Sequence, residues 1–152
     1  MALTSDQALK ALAGLRIAVG ASSWLTPRLA GKGFGIDADA NPVAPYLARL
    51  FGARDVALAV GPLASDGDAR RLWLQAGLGC DVADAVAAIF AGNTGQLPRA
   101  SSIAVFLPAV AAVGLGAIAL RGDAPADGPA DVPAPPPAAA AAPNGGPAPS
   151  TA

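Results

Sequence analysis

Gly77-Leu-Gly-Cys-Asp-Val-Ala-Asp84 lies inside an apolar run that extends from about Leu72 to Ala91. About 20 apolar residues in a row make a helix long enough to cross a ~30 Å hydrocarbon layer. Asp81 and Asp84 are three residues apart, so they share one face of that helix. A charge at the centre of a bilayer costs about 2.5–3.5 kcal/mol on insertion scales, so it turns toward partners. The segment predicts a membrane span whose acidic face looks into a helix bundle.

Composition agrees with a membrane class. The chain has 152 residues, 53% of them hydrophobic and 14% charged, with mean hydropathy +0.47. Soluble domains carry about 25% charged residues. A net charge of −1 gives no basic field for nucleic acid. The chain lacks His and Glu, which removes His-based catalysis, the usual zinc sites and haem ligation by His. No metal or cofactor set is expected. Cys80 is the single cysteine, so no disulfide within the chain is possible.

Four spans can be drawn, at about 7–25, 43–63, 72–91 and 101–120. Thr4-Ser-Asp-Gln7 fits a capping box for the first. Its stripe of Leu9, Ala13, Arg16, Gly20 and Ser23 is small and polar and is the expected interior face. Arg16 interrupts the apolar region, so the segment reads as a retained span and not as a cleaved signal peptide. The second span carries the stripe Ala48, Gly52, Asp55, Ala59 and Pro62, with Arg54 beside it. Small residues on one face allow close helix approach in lipid. Arg49 and Tyr46 suit the interface level. The third span has the stripe Gly77, Asp81, Asp84 and Ala88, with Asp66 or Asp68 as its cap. The fourth is uncharged and contains Pro108 and Gly114-Leu-Gly116.

The connection from Thr26 to Asn41 is expected as a flexible loop. Gly31-Lys-Gly-Phe-Gly35 lacks the spacing and the preceding strand of a phosphate loop. Asp37-Ala-Asp-Ala-Asn41 lacks the Gly and Glu that a calcium loop needs. Asn41-Pro42 is expected to cap the second span. Residues 122–152 alternate Asp123, Asp127 and Asp131 with Pro, Ala and Gly, then run into an Ala/Pro tract, which predicts a disordered tail with polyproline II character.

Arg16, Arg54 and Asp81 each lie about nine residues into their spans, or ~13 Å deep, and Asp55 and Asp84 lie within one turn of that level. Two cations and three anions thus converge. The closest expected pair is Arg54 with a carboxylate of the third span, first Asp81, with Asp84 and Asp55 as alternatives.

Ala44-Pro-Tyr-Leu-Ala-Arg-Leu-Phe-Gly-Ala-Arg-Asp55, Cys80-Asp-Val-Ala-Asp84 and the Arg16 helix resemble an uncharacterised family of small bacterial four-helix integral membrane proteins with a Gly-Ala-Arg-Asp motif. More distantly they are similar to DoxX-like four-helix membrane proteins. The resemblance covers about Ala8 to Leu120. It implies the fold and a bacterial inner-membrane location, and no reaction.

The fold class expected is all-α: a four-helix transmembrane bundle over residues 1–121, followed by the Pro/Ala-rich tail. The leading functional expectation is a small, non-enzymatic or accessory multi-pass protein with a buried network of Arg16, Arg54, Asp55, Asp81 and Asp84. Its partners would be membrane lipid and a second copy or another membrane protein. The rivals are a proton-linked carrier of a small or lipophilic solute, and a membrane enzyme using the buried Asp residues. A dry, fully paired network would favour the first; a water-filled pocket at the acidic centre would favour the rivals.

Overall fold

The computed structural model describes residues 3–123, and those residues are all helix and connections. The helices are α1 (Ser5–Leu25), α2 (Pro27–Gly33), α3 (Ala44–Leu63), α4 (Gly67–Asn93) and α5 (Arg99–Gly122).

The four long helices form an antiparallel ring. α1 packs beside α3 and α5, and α4 packs beside α5 and α3, with the α3–α4 seam the thinner. α1 and α4 face each other across one diagonal. The capping box starts α1 as its spacing predicts: Gln7 N–H donates to Thr4 Oγ1 at 3.2 Å, and Thr4 N–H donates to Gln7 Oε1 at 3.0 Å.

Glycines set how closely the helices approach. A Cβ on Gly20 of α1 would lie 2.8 Å from the Gly52 carbonyl oxygen of α3, so only glycine fits there. A Cβ on Gly92 of α4 would meet Ser102 of α5, whose Oγ donates to the Ala88 carbonyl at 2.6 Å. The core that results is made of small side chains. Among the described residues nine of the twelve buried hydrophobic residues are alanine, and Leu12, Leu58 and Leu74 complete the set.

Several expectations are corrected. The stretch after Thr26 is not wholly a loop: Pro27 starts the short helix α2, because proline suits a first helical turn. Asn41-Pro42 does not cap α3. The cap is Val43, and Pro45 takes the first turn instead. Asp66 stands at the N-cap of α4 but makes no capping bond, because its carboxylate accepts from Arg70 at 2.5 Å. α4 therefore begins at Gly67, five residues before the predicted span.

Gly122 closes α5, and Asp123 accepts through its carbonyl from Arg71 Nη1 at 2.9 Å, so both belong to the bundle. The rest of the predicted tail lies outside the described residues.

Of the four predicted spans, two helices are long and apolar enough to cross a membrane, Gly67–Asn93 and Arg99–Gly122. Charged residues hold the other two below that measure: Lys10 and Arg16 in α1, and Arg49, Arg54 and Asp55 in α3.

Candidate functional site: a divided charge network beside a cavity

All five predicted polar residues meet at mid-bundle, but they divide into two groups. The first is Arg16 with Asp81. Arg16 Nη2 donates to Asp81 Oδ2 at 2.6 Å, and Nη1 donates to the Leu58 carbonyl at 2.9 Å. The two side chains retain only 4% and 8% of their exposure. The pair crosses the α1–α4 diagonal because Gly77 leaves the room. A Cβ there would lie 2.5 Å from Arg16 Nη1 and 2.6 Å from Nη2.

The second group is Arg54 with Asp84 and Asp55. Arg54 grips Asp84 at both oxygens, Nη2 to Oδ2 at 2.6 Å and Nη1 to Oδ1 at 3.2 Å. Nη2 also donates to Asp55 Oδ1 at 3.2 Å. The fork of a guanidinium matches a carboxylate in this way, whereas an ammonium would not. The Arg54 guanidinium also stacks on Phe51, 4.3 Å from the ring centroid. This group is more open: the Arg54 side chain keeps 32% of its exposure.

The expected Arg54–Asp81 pairing is thus corrected. Arg54 does bond to the third predicted span, but to Asp84, one helical turn further on. Asp81 is taken by Arg16 from the opposite helix. The position of Gly77, one turn before Asp81, was the sequence signal for that partner: it marks where a bulky group enters.

Both arginines leave Nε without a hydrogen-bond partner among the described residues, and each Nε is out of reach of water. An unsatisfied buried donor costs about 1–3 kcal/mol. These atoms are enclosed by protein and are therefore no part of the accessible surface of the site.

Beside the network is a cavity of about 360 Å³. Volumes of 300–1,000 Å³ are typical of small-molecule sites. The floor is the charge network. The walls are mostly apolar, with Leu15 and Val19 from α1, Leu47 and Phe51 from α3, and Val105 and Pro108 from α5, and Ser23 and Asn41 add two polar side chains. The end away from the floor is lined by Pro27 and Ala30 of α2 and by Phe34, Ile36 and Ala38 of the following connection, which partly cover it. Ser101 Oγ pins that cover to α5 by donating to the Gly35 carbonyl at 3.2 Å, and Gly35 turns the chain there with φ +71°. Sequence reasoning missed the cover entirely. Its signal was Pro27 followed by a helix-compatible stretch, which the glycines at 31, 33 and 35 obscured.

Cys80 carries a free, half-buried thiol beside this centre in sequence. Among the described residues no group of three or more His, Cys, Asp or Glu is placed to hold a metal ion. No protein-family model, curated protein or solved structure matches the chain.

Proposed function

We propose that this chain is a four-span protein of a bacterial plasma membrane that holds a small lipophilic molecule inside its bundle. The observation that carries the membrane reading is the distribution of side-chain size. Large apolar residues lie outside on every long helix: Ile17 and Trp24 on α1, Leu50 and Val60 on α3, Val86 and Phe90 on α4, Ile103 and Leu107 on α5. Alanine and glycine lie inside. A bundle in water does the reverse, because burying large apolar side chains drives its folding. Lipid removes that drive, and small residues then favour close helix contact. The apolar windows of α4 and α5 are only 28% and 22% buried, unlike core helices of a soluble fold.

The composition of α1 and α3 is compatible with spanning once the direction of their charges is considered. Arg16 is sealed within the bundle, and Arg54 and Asp55 clamp together beside Asp84. A polar residue that faces the bundle interior does not meet hydrocarbon. The resemblance read from the sequence implies a bacterial plasma membrane as that location.

The cavity supports binding or carriage in preference to catalysis. Its lining offers carboxylates and guanidiniums already bonded to each other, and no hydroxyl or thiol paired with a base. The Arg16–Asp81 pair serves as scaffold in this reading, and the open Arg54 group serves as the polar end of the site.

Reporter fusions test the spans. Fusions at the N-terminus, Ser65 and the C-terminus should report one side, and fusions at Asp37 and Gly95 the other. A fusion at Asp37 on the same side as Ser65 would remove α3 from the membrane and end the proposal. A neutral lipophile, N-phenyl-1-naphthylamine, tests the cavity: its fluorescence should rise saturably with purified protein, and Ala109→Trp should abolish the rise.

A further inference from the structure

We infer that the cavity takes a lipophilic monocation, with Asp55 as its counter-ion. The inference rests on the proposed ligand site and adds the chemical class of the ligand.

The cavity lining contains five charged residues and no others: Arg16 from α1, Arg54 and Asp55 from α3, and Asp81 and Asp84 from α4. α2 and α5 contribute none to it. Three carboxylates stand against two guanidiniums, which leaves one anion over. The hydrogen bonds identify which one. Asp81 has Arg16 at 2.6 Å, and Asp84 has both arms of Arg54. Asp55 receives one bond of 3.2 Å on Oδ1, from an Nη2 that is already engaged with Asp84 at 2.6 Å. Among the described residues no hydrogen bond reaches Asp55 Oδ2.

An anionic ligand would add a second uncompensated charge to this floor, in surroundings that are otherwise mostly apolar, with Ser23 and Asn41 the other polar side chains. A neutral ligand would leave the existing one uncompensated. A monocation brings the site to neutrality, and its apolar substituents fit walls of Leu15, Leu47, Phe34 and Val105. When the cation is absent, a proton can take its place on the carboxylate group. Cation and proton therefore compete for one negative charge: one enters as the other leaves to solvent.

Tetraphenylphosphonium and tetraphenylborate share a shape and differ in the sign of their charge, so the pair isolates the charge preference. Purified full-length protein in dodecylmaltoside is equilibrated with each, against protein-free micelles. The expected result is saturable tetraphenylphosphonium binding, weakened at least tenfold by Asp55→Asn, with no saturable tetraphenylborate binding. On the parent protein, tetraphenylphosphonium affinity should fall as pH is lowered, which keeps the test valid if Asp55→Asn does not fold. Affinity independent of pH, unchanged affinity in folded Asp55→Asn, or preference for tetraphenylborate overturns the inference. If N-phenyl-1-naphthylamine binds while tetraphenylphosphonium does not, the cavity stands and the cation class fails. If neither binds, the cavity reading fails with it.

Discussion

Arg16 of α1 and Asp81 of α4 meet across the diagonal of the bundle at 2.6 Å, with both side chains more than nine-tenths buried. This contact joins two helices that are not neighbours in the ring and fixes their relative depth, and the bond from Arg16 to the Leu58 carbonyl ties in α3. A guanidinium sealed in the interior depends on its partner for stability.

Asp81→Asn should therefore leave a buried cation and destabilise the protein by about 3–5 kcal/mol. Adding Arg16→Gln should recover much of that loss, while adding Arg54→Gln should deepen it. Unfolding in detergent with denaturant measures all three. Recovery by Arg54→Gln instead of Arg16→Gln would contradict the pairing. Asp84→Asn should cost less than Asp81→Asn, because its partner Arg54 is partly exposed and retains Asp55.

Gly77 and Gly79 form a matched pair on α4. A Cβ at Gly77 meets the Arg16 guanidinium, whereas one at Gly79 meets nothing within 4 Å. Gly77→Ala should cost about 1–3 kcal/mol by crowding a group that its bonds hold in place. Gly79→Ala should be neutral or stabilise by roughly 0.5–1 kcal/mol through backbone entropy. Thermal unfolding distinguishes them, and equal effects would contradict the position of Arg16.

Gly20 tests the α1–α3 contact in the same way. Its nearest obstacle is backbone, the Gly52 carbonyl, with Asp55 Cβ at 3.0 Å behind it. Gly20→Ala should separate the two helices and displace Asp55, lowering both stability and binding in the cavity. Gly14→Ala on the same helix has open space around it and should do neither. Cavity binding unaffected in folded Gly20→Ala would separate the helix contact from the site.

The sequence made the helices and their inner faces legible because small and charged residues recur at helical spacing. Of the inner stripe of Leu9, Ala13, Arg16, Gly20 and Ser23 on α1, the last four are buried and Leu9 is half-buried. Arg16, Arg54, Asp55, Asp81 and Asp84 could be brought to one level by counting residues, because helix rise is constant. Their partners could not be assigned that way. Depth along an axis does not say which helices stand next to one another, and the choice of Arg16 for Asp81 depends on the diagonal of the ring. The cavity was beyond reach for a related reason: Phe34, Ile36 and Ala38 partly cover it from a connection whose path is set by tertiary contacts. Hydropathy averaging counts Arg16 and Asp55 against a span whichever way they face.

The central claim is that all four long helices, α1 and α3 as well as α4 and α5, cross the membrane with their large apolar residues toward lipid. Nitroxides on single cysteines test it directly, in a Cys80→Ala background reconstituted into bilayers. Ile17, Leu50, Val86 and Leu107 place one label on each long helix at an exposed apolar site. Collision with molecular oxygen and with a water-soluble nickel chelate is measured for each. The account predicts high oxygen and low nickel accessibility at all four positions. High nickel accessibility at Ile17 or Leu50, with Val86 and Leu107 in lipid, would contradict it and leave a two-span protein.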